Sequence, residues 1–312
     1  MSINIGINMN IELLKMKPDD LSVVNVARAS FGNWKDVLDE SDTGLIKYLA
    51  KHKHISPFFH QRFTFKTSTG NYGGSIDLPS VQEYSTLSMG LEVEITSDNA
   101  AIISHSFFGW VAMIKEGMLI EDFEDDVLYT LAQTMPISLA AYDLPTDVEW
   151  VGASEYIENP ESYQHRNVSI RVVDALPVVR QLFTHRRFAT NEISRRYVST
   201  LPTIHIPDEF RARPEGSIKQ GSTGLVEDQE GCLELYNKSI QLAIDTYSEM
   251  LGRGVAPEQA RYVLPQAMET TVIFTGSIDA WLALITLRTS DSTQYETKLV
   301  AEAIHKAIAL EE

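Results

Sequence analysis

Thiols are nearly absent from this chain, whose single cysteine is Cys232. That excludes an internal disulfide and any multi-cysteine metal site. Basic residues are also scarce: 26 Lys and Arg stand against 43 Asp and Glu, for a formal net charge of -17. Such a balance argues against general nucleic-acid binding, which normally needs a basic face. No apolar run approaches the length of a membrane span. The opening stretch MSINIGINMNIELLKMK lacks the basic start, apolar block and small-residue cleavage site of a secretory signal. The expectation is a cytoplasmic, reducing setting with neither nucleic acid nor membrane as partner. A Walker A loop, a Gly-x-Gly-x-x-Gly fingerprint, a Gly-x-Ser-x-Gly elbow and a His-Glu-x-x-His helix are missing too. What is present, 44% apolar and 22% charged residues over 312 positions, suits a soluble globular protein with a sizeable core.

Against this acidic background, Arg180 to Tyr197 stands out. Its six chargeable cations are Arg180, His185, Arg186, Arg187, Arg195 and Arg196. Repelling cations crowded together point to a shared anionic ligand, or to a salt-bridged turn near a helix end. Arg186 and Arg187 are forked donors suited to phosphate or carboxylate. Asn191 and Glu192 offer the donors and acceptors that read a heterocycle edge, and Ser194 with Arg196 can hold a phosphate. Arg261 and Arg288 are further anion candidates. Arg288 ends the apolar run Ala280 to Leu287, where a charge needs a partner or a ligand. His52, His54 and His60 form a histidine cluster, but their spacing across a Pro turn is not a metal-ligand pattern.

Hydrophobic periodicity places the elements. Asp19 or Asp20 caps a helix ending near Ser30, and a second helix starts at Asp42 and stops before Pro57. Gln61 to Thr67 and Val168 to Val173 alternate as strands, and Val272 to Phe274 is a third candidate. Gly70, Gly73 and Gly74 mark a loop, and residues 80–145 read as mainly helical. The acidic cluster Glu121, Asp122, Glu124, Asp125 and Asp126 reads as a solvated helix start or loop. Pro177 starts a helix, residues 207–231 read as a mobile connection, and residues 232–252 as an amphipathic helix. A further helix starts at Pro257 and stops before Pro265. Residues 277–309 are helical, with a break at Thr289 to Thr293.

The motifs together resemble the flavin-dependent thymidylate synthases, the ThyX family. The signature Arg-His-Arg, two residues, Ser, one residue, Asn-Glu, one residue, Ser, one residue, Arg-Tyr is met by His185, Arg186, Asn191, Glu192, Ser194, Arg196 and Tyr197. Arg180-Gln181 resembles the family's Arg-Gln. Ala27 to Gly32, His54 to His60, and Gly254 to Pro265 resemble three further blocks, in the family's order. The resemblance covers roughly residues 20–68, 168–200 and 232–310.

The resemblance implies an α+β fold: one domain over residues 1–312, with a mixed sheet, packed helices and a mainly helical insertion at about 69–167 between two neighbouring strands. It implies a homotetramer with active sites at subunit interfaces. The implied reaction is reductive C5-methylation of dUMP to dTMP, using FAD, NADPH and methylenetetrahydrofolate. Gln181, Glu192, Ser194, Arg196, Arg261 and Arg288 fall at nucleotide positions, with Arg288 and Ser194 as catalytic candidates. His54, Ser56, His185, Arg186 and Asn191 fall at flavin positions; no metal is implied. The flavin side departs from the pattern at Phe59, Thr184, Ala189, Ser277, Asp279, Ala283 and Ser292. Asp279, where the family often has Arg, would repel a pyrophosphate, and Arg187 is the candidate to compensate. Two explanations stay open: an FAD enzyme with a rearranged pocket, or a diverged pyrimidine-nucleotide-binding paralogue with altered or lost flavin chemistry, including another C5 modification of UMP or dUMP. A metal-dependent hydrolase built on His52, His54 and His60 is the third class.

Overall fold

The computed structural model describes residues 10–29, 34–68, 90–98, 100–196, 198–215 and 221–309. Ser30 to Gly32, Gly70, Gly73, Gly74 and Tyr197, used in the sequence reading, lie outside the described residues.

Two four-stranded sheets dominate. The first has the order β1 (Asn10–Leu14), β6 (Asn167–Ala175), β10 (Glu269–Ser277), β7 (Ala189–Glu192). Its register sets Val272 opposite Val172 on one side and Glu192 on the other. The second has the order β3 (Glu92–Ile95), β4 (Ala100–Ser106), β2 (Arg62–Ser68), β5 (Ser154–Tyr156). Every pairing in both is antiparallel, so the expected mixed sheet is realised as two antiparallel ones. A short pair, β8 (Arg211–Ala212) with β9 (Thr223–Leu225), lies in the stretch read as a mobile connection.

The helices cover these sheets. α1 (Asp20–Arg28) is capped by Asp19, whose carboxylate accepts from Ser22 N at 2.7 Å. α2 (Glu40–Lys51) starts earlier than expected, because Asp39 is its cap and Asp42 turns back to accept from Asp39 N at 2.9 Å. That reciprocal arrangement is a capping box. Asp42 is fully buried, and Arg28 at 2.6 Å and Lys35 at 2.9 Å supply its counter-charge. A one-turn helix, α3 (Ser56–Phe59), follows with Pro57 in its first turn. α4 (Phe107–Lys115), α5 (Glu121–Thr134) and α6 (Pro136–Ala141) come from the stretch expected to be mainly helical. The expected insertion at 69–167 also supplies β3, β4 and β5, three of the second sheet's four strands, and β2 and β6, expected as neighbours, lie in different sheets.

The first sheet carries α7 (Leu176–Leu182), α10 (Ile278–Arg288) and α11 (Tyr295–Ile308) over a core of Val172, Val272, Phe274, Trp281, Leu284 and Ile304. The second packs Phe63, Phe65 and Ile103 against Trp110, Phe123 and Leu131. A third, smaller cluster lies under α8 (Gln229–Gly252), where Ile240, Ile244 and Tyr247 meet Ala260 of α9 (Pro257–Ala260). Phe65 is fully buried, with the rings of Trp110, Tyr156 and Phe123 at 5.2, 5.7 and 5.9 Å. Phe65→Ala should lower unfolding free energy by about 3–5 kcal/mol, the usual cost of emptying a large aromatic site. Urea denaturation measures this; a loss under about 1 kcal/mol would mean the second sheet is not packed as described.

Candidate functional site

The two sheets meet at a cavity of about 510 Å³. α3 contributes Ile55, Ser56 and Phe59 to its wall, the ends of β7 and β10 contribute Thr190 and Gly276, and the second sheet closes it with Glu92. Arg62, Arg186 and Arg187 bring three guanidiniums to the lining. Arg186 is exposed and makes no hydrogen bond or ion pair with the described residues.

The other two arginines are held by carboxylates. Arg187 Nη1 pairs with Asp279 Oδ2 at 2.8 Å and Nη2 with Glu92 Oε1 at 3.5 Å. Arg62 Nη2 lies 3.9 Å from Glu92 Oε2, and its Nη1 donates to Gly90 O at 2.6 Å. Gly90 has φ +82°, and a Cβ there would lie 2.9 Å from Arg62 Nη1; glycine permits both that backbone and the close approach. Burial raises the Glu92 carboxyl pKa, and Arg62 and Arg187 pull it back down. Burial lowers the Arg62 pKa, and Glu92 opposes it. Arg187, the residue named as a candidate to compensate for Asp279 beside a pyrophosphate, forms an ion pair with Asp279 itself.

Five residues were expected on the flavin side, and the structure separates them. Ser56 and Arg186 line the cavity. Asn191 stands directly behind Ser56, accepting from Ser56 Oγ at 3.0 Å and donating from Nδ2 to Val26 O at 2.6 Å. That link joins α1, α3 and β7, three segments far apart in the chain. His54 is instead exposed, 6.0 Å from the Tyr48 ring. His185 turns to Arg288 and is not part of the cavity wall. The three histidines do not converge either: His52 stacks on Tyr48 at 4.2 Å, whereas His60 is buried on Thr275.

The nucleotide-side candidates form separate groups. Arg288 Nη2 donates to Gln181 O at 2.9 Å and to Thr184 Oγ1 at 2.6 Å, and Nε donates to His185 Nε2 at 3.0 Å. Thr184 also donates to Gln181 O at 2.7 Å. The partner that Arg288 required is thus the C-terminal end of α7, where carbonyls lack intrahelical donors. Gln181 Nε2 reaches Gln294 Oε1 at 2.5 Å. Arg196 and Arg261 gather at Glu258: Arg196 Nε lies 3.6 Å from its carboxylate, and Arg261 Nε donates to its carbonyl at 3.2 Å. Ser194 Oγ accepts from Arg196 N at 3.4 Å. Glu192 accepts from Thr270 Oγ1 at 2.8 Å.

Next to Thr270, Glu269 has its carboxyl pKa pushed up to about 7 by burial and by the neighbouring Asp174. The folded value lies above the ordinary one, so its favourable contribution is complete below about pH 4.5 and is lost as pH rises through 7. The difference in urea midpoint between Glu269→Gln and the parent should therefore grow in the variant's favour from pH 4.5 to 8. A difference that stays flat with pH would contradict the shift.

Sequence reasoning missed Arg62, Glu92 and Gly276. A Cβ on Gly276 would lie 2.5 Å from the Phe188 ring, so the absence of a side chain there lets Phe188 form one wall of the cavity.

Fold and site thus define an α+β protein with an arginine-lined cavity between two antiparallel sheets. Residues 162–310 match the family profile described as thymidylate synthase complementing protein. The flavin-dependent thymidylate synthase of Aquifex aeolicus is 28% identical over 302 residues, which cover 93% of this chain and 94% of that protein. An alignment of that extent necessarily takes in most of residues 69–167. The enzyme of the same name from Thermus thermophilus is 34% identical over 131 residues, 42% of this chain and 48% of that protein. The one from Tropheryma whipplei is 29% identical over 158 residues, 46% of this chain and 64% of that protein. A structure of the UMP/dUMP methylase PolB from Streptomyces cacaoi with 5-Br UMP aligns over 99% of this chain and 92% of that one, at 19% identity and a TM-score of 0.49. Residues 162–310 thus carry the profile of this family, and nearly the whole chain is similar to one flavin-dependent thymidylate synthase, at an identity that marks a divergent relative. Among the described residues, no helix is long and apolar enough to cross a membrane.

Proposed function

We propose that this chain catalyses reductive C5-methylation of dUMP, with FAD as cofactor, methylenetetrahydrofolate as carbon donor and NADPH as reductant. Similarity to this family supports the reaction class. The observation that carries the cofactor reading is the junction of Ser56 and Asn191 at 3.0 Å beside a cavity into which Arg186 is contributed unpaired. Two motif blocks, separated by more than a hundred residues, meet at one wall.

The residues present fit a dinucleotide cofactor in charge. Arg186 would meet a pyrophosphate with a forked donor, Ser56 and Thr190 add hydroxyls, and Arg187 cancels Asp279. When bound, the flavin supplies the hydride that completes the new methyl group. On the nucleotide side, Ser194, Arg196 and Arg261 would hold the phosphate, and Gln181 and Glu192 would read the pyrimidine edge. Arg288, fixed on the end of α7, would stabilise negative charge developing on the ring as C5 attacks. The nucleotide groups lie apart from the cavity on a single chain. We therefore also propose a homotetramer in which the groups of neighbouring chains complete one site.

The test is an absorbance spectrum after incubation with FAD and desalting. Retained flavin bands are expected. Arg186→Ala should weaken FAD binding about tenfold to a hundredfold, the loss of one charged hydrogen-bonding partner. A parent protein that stays colourless with excess FAD would overturn the cofactor reading.

A further inference from the structure

A second cavity, of about 670 Å³, lies on the far side of Arg62, Asn167 and Thr275, which line both. The ThyX-like reading makes no use of it. Its mouth carries Lys15 and Lys17 on the segment after β1, and Arg166 on the approach to β6. Lys17 lies 3.8 Å from Glu158, the one carboxylate among the described lining residues. In a chain of net charge -17, a lining of four cations and one acid is a local reversal of sign.

The floor is polar and buried. Thr275 Oγ1 sits 2.7 Å from His60 Nδ1 and 2.6 Å from Ser169 Oγ. His60 is only 4% exposed, and its Nε2 has no hydrogen-bond partner among the described residues; the same is true of Arg62 Nε. Burial drives the His60 pKa down to about 3, so at neutral pH the ring carries one N–H. If Ser169 donates to Thr275 and Thr275 donates to His60 Nδ1, that N–H is on Nε2. His165, also in the lining, is already engaged, with Ser104 Oγ at 2.7 Å from Nδ1 and Glu94 Oε2 at 3.5 Å from Nε2. Buried donors are almost always satisfied, and two unsatisfied ones on the lining of one cavity call for an acceptor that the chain does not provide.

We propose that this second cavity binds a small oxyanion-bearing ligand, a phosphate or a carboxylate, taken between the Nε2–H of His60 and the Nε–H of Arg62, with Lys15 and Lys17 at the mouth. The proposal does not rest on the flavin reading, since the residues that carry it are outside the ThyX motif positions assigned to flavin or nucleotide.

The test is a titration of the full chain, followed by histidine side-chain ¹H–¹⁵N correlation spectra, with inorganic phosphate in one arm and succinate in the other. At least one anion should move the His60 signals saturably and fix the Nε2–H tautomer; which one does so identifies the ligand's acid group. The exposed double variant Lys15→Ala/Lys17→Ala, which touches no core, should weaken that response about tenfold. Arg186→Ala, in the first cavity, should leave it unchanged. His60 signals that respond to neither anion, or a response unaffected by the lysine variant, would overturn the proposal.

Discussion

Arg288→Ala should lower nucleotide affinity or turnover by about tenfold to a hundredfold, the loss of one or two charge-assisted hydrogen bonds. Arg288 is the side chain through which α10 grips the end of α7, using Gln181 O, Thr184 Oγ1 and His185 Nε2 at 2.6–3.0 Å. Burial and the adjacent Arg288 charge both lower the His185 pKa, so its ring is neutral near pH 7 and Nε2 can accept. Removing the guanidinium frees all three groups and unfixes Gln181, itself a nucleotide-side candidate. Arg288→Lys should rescue poorly, because an ammonium cannot reproduce a planar fork that spans three acceptors. Isothermal titration with dUMP and the steady-state rate measure the effect. Parent-like affinity and rate in Arg288→Ala would reduce this residue to a helix clamp.

Gly276→Val should abolish flavin retention and lower unfolding free energy by about 1–3 kcal/mol, the typical cost of overpacking. The added Cβ would lie 2.5 and 2.7 Å from two carbons of the Phe188 ring. Phe188 cannot simply yield, because its ring also packs on Trp281 at 4.4 Å and Phe274 at 6.1 Å. The ring must swing toward the cavity it lines, or β10 must shift. Flavin absorbance after desalting, with a thermal melt of the same sample, reads both effects. Unchanged retention together with an unchanged melting temperature would show that Phe188 does not set this wall.

Much of the first sheet was legible in the sequence, because its strands and helices carry clean local patterns. β6 showed by its alternation and β10 by its apolar centre, and α10 and α11 were separated at the correct break. β7 was hidden: Ala-Thr-Asn-Glu has no apolar alternation, and its strand character comes from pairing with Val272 to Thr275. β3 and β4 were missed for a related reason. Ala100–Ser106 is buried on almost every residue and rich in small side chains, so no period of two survives to mark a strand.

The site divided along similar lines. Ser56, Arg186 and Asn191 were named because they sit in ordered motifs; the structure sets the first two in the cavity lining and Asn191 in contact with Ser56. Arg62 and Glu92 carry no local signal, since their meaning lies in pairings with each other and with Arg187, far along the chain. Asp279 was read from its motif position as an unfavourable charge for a pyrophosphate. Its partner, Arg187, belongs to another element, and only tertiary structure brings the two to 2.8 Å. His54 and His185 show the reverse case, where motif position alone did not place a side chain at the cavity.

The central claim is tested most directly by mass-spectrometric detection of product from dUMP, methylenetetrahydrofolate and NADPH, with and without added FAD. The account predicts a product one methyl group heavier than dUMP, formed only when FAD is present. A folded protein that forms no methylated nucleotide with all components present, or forms it equally well without FAD, would contradict it.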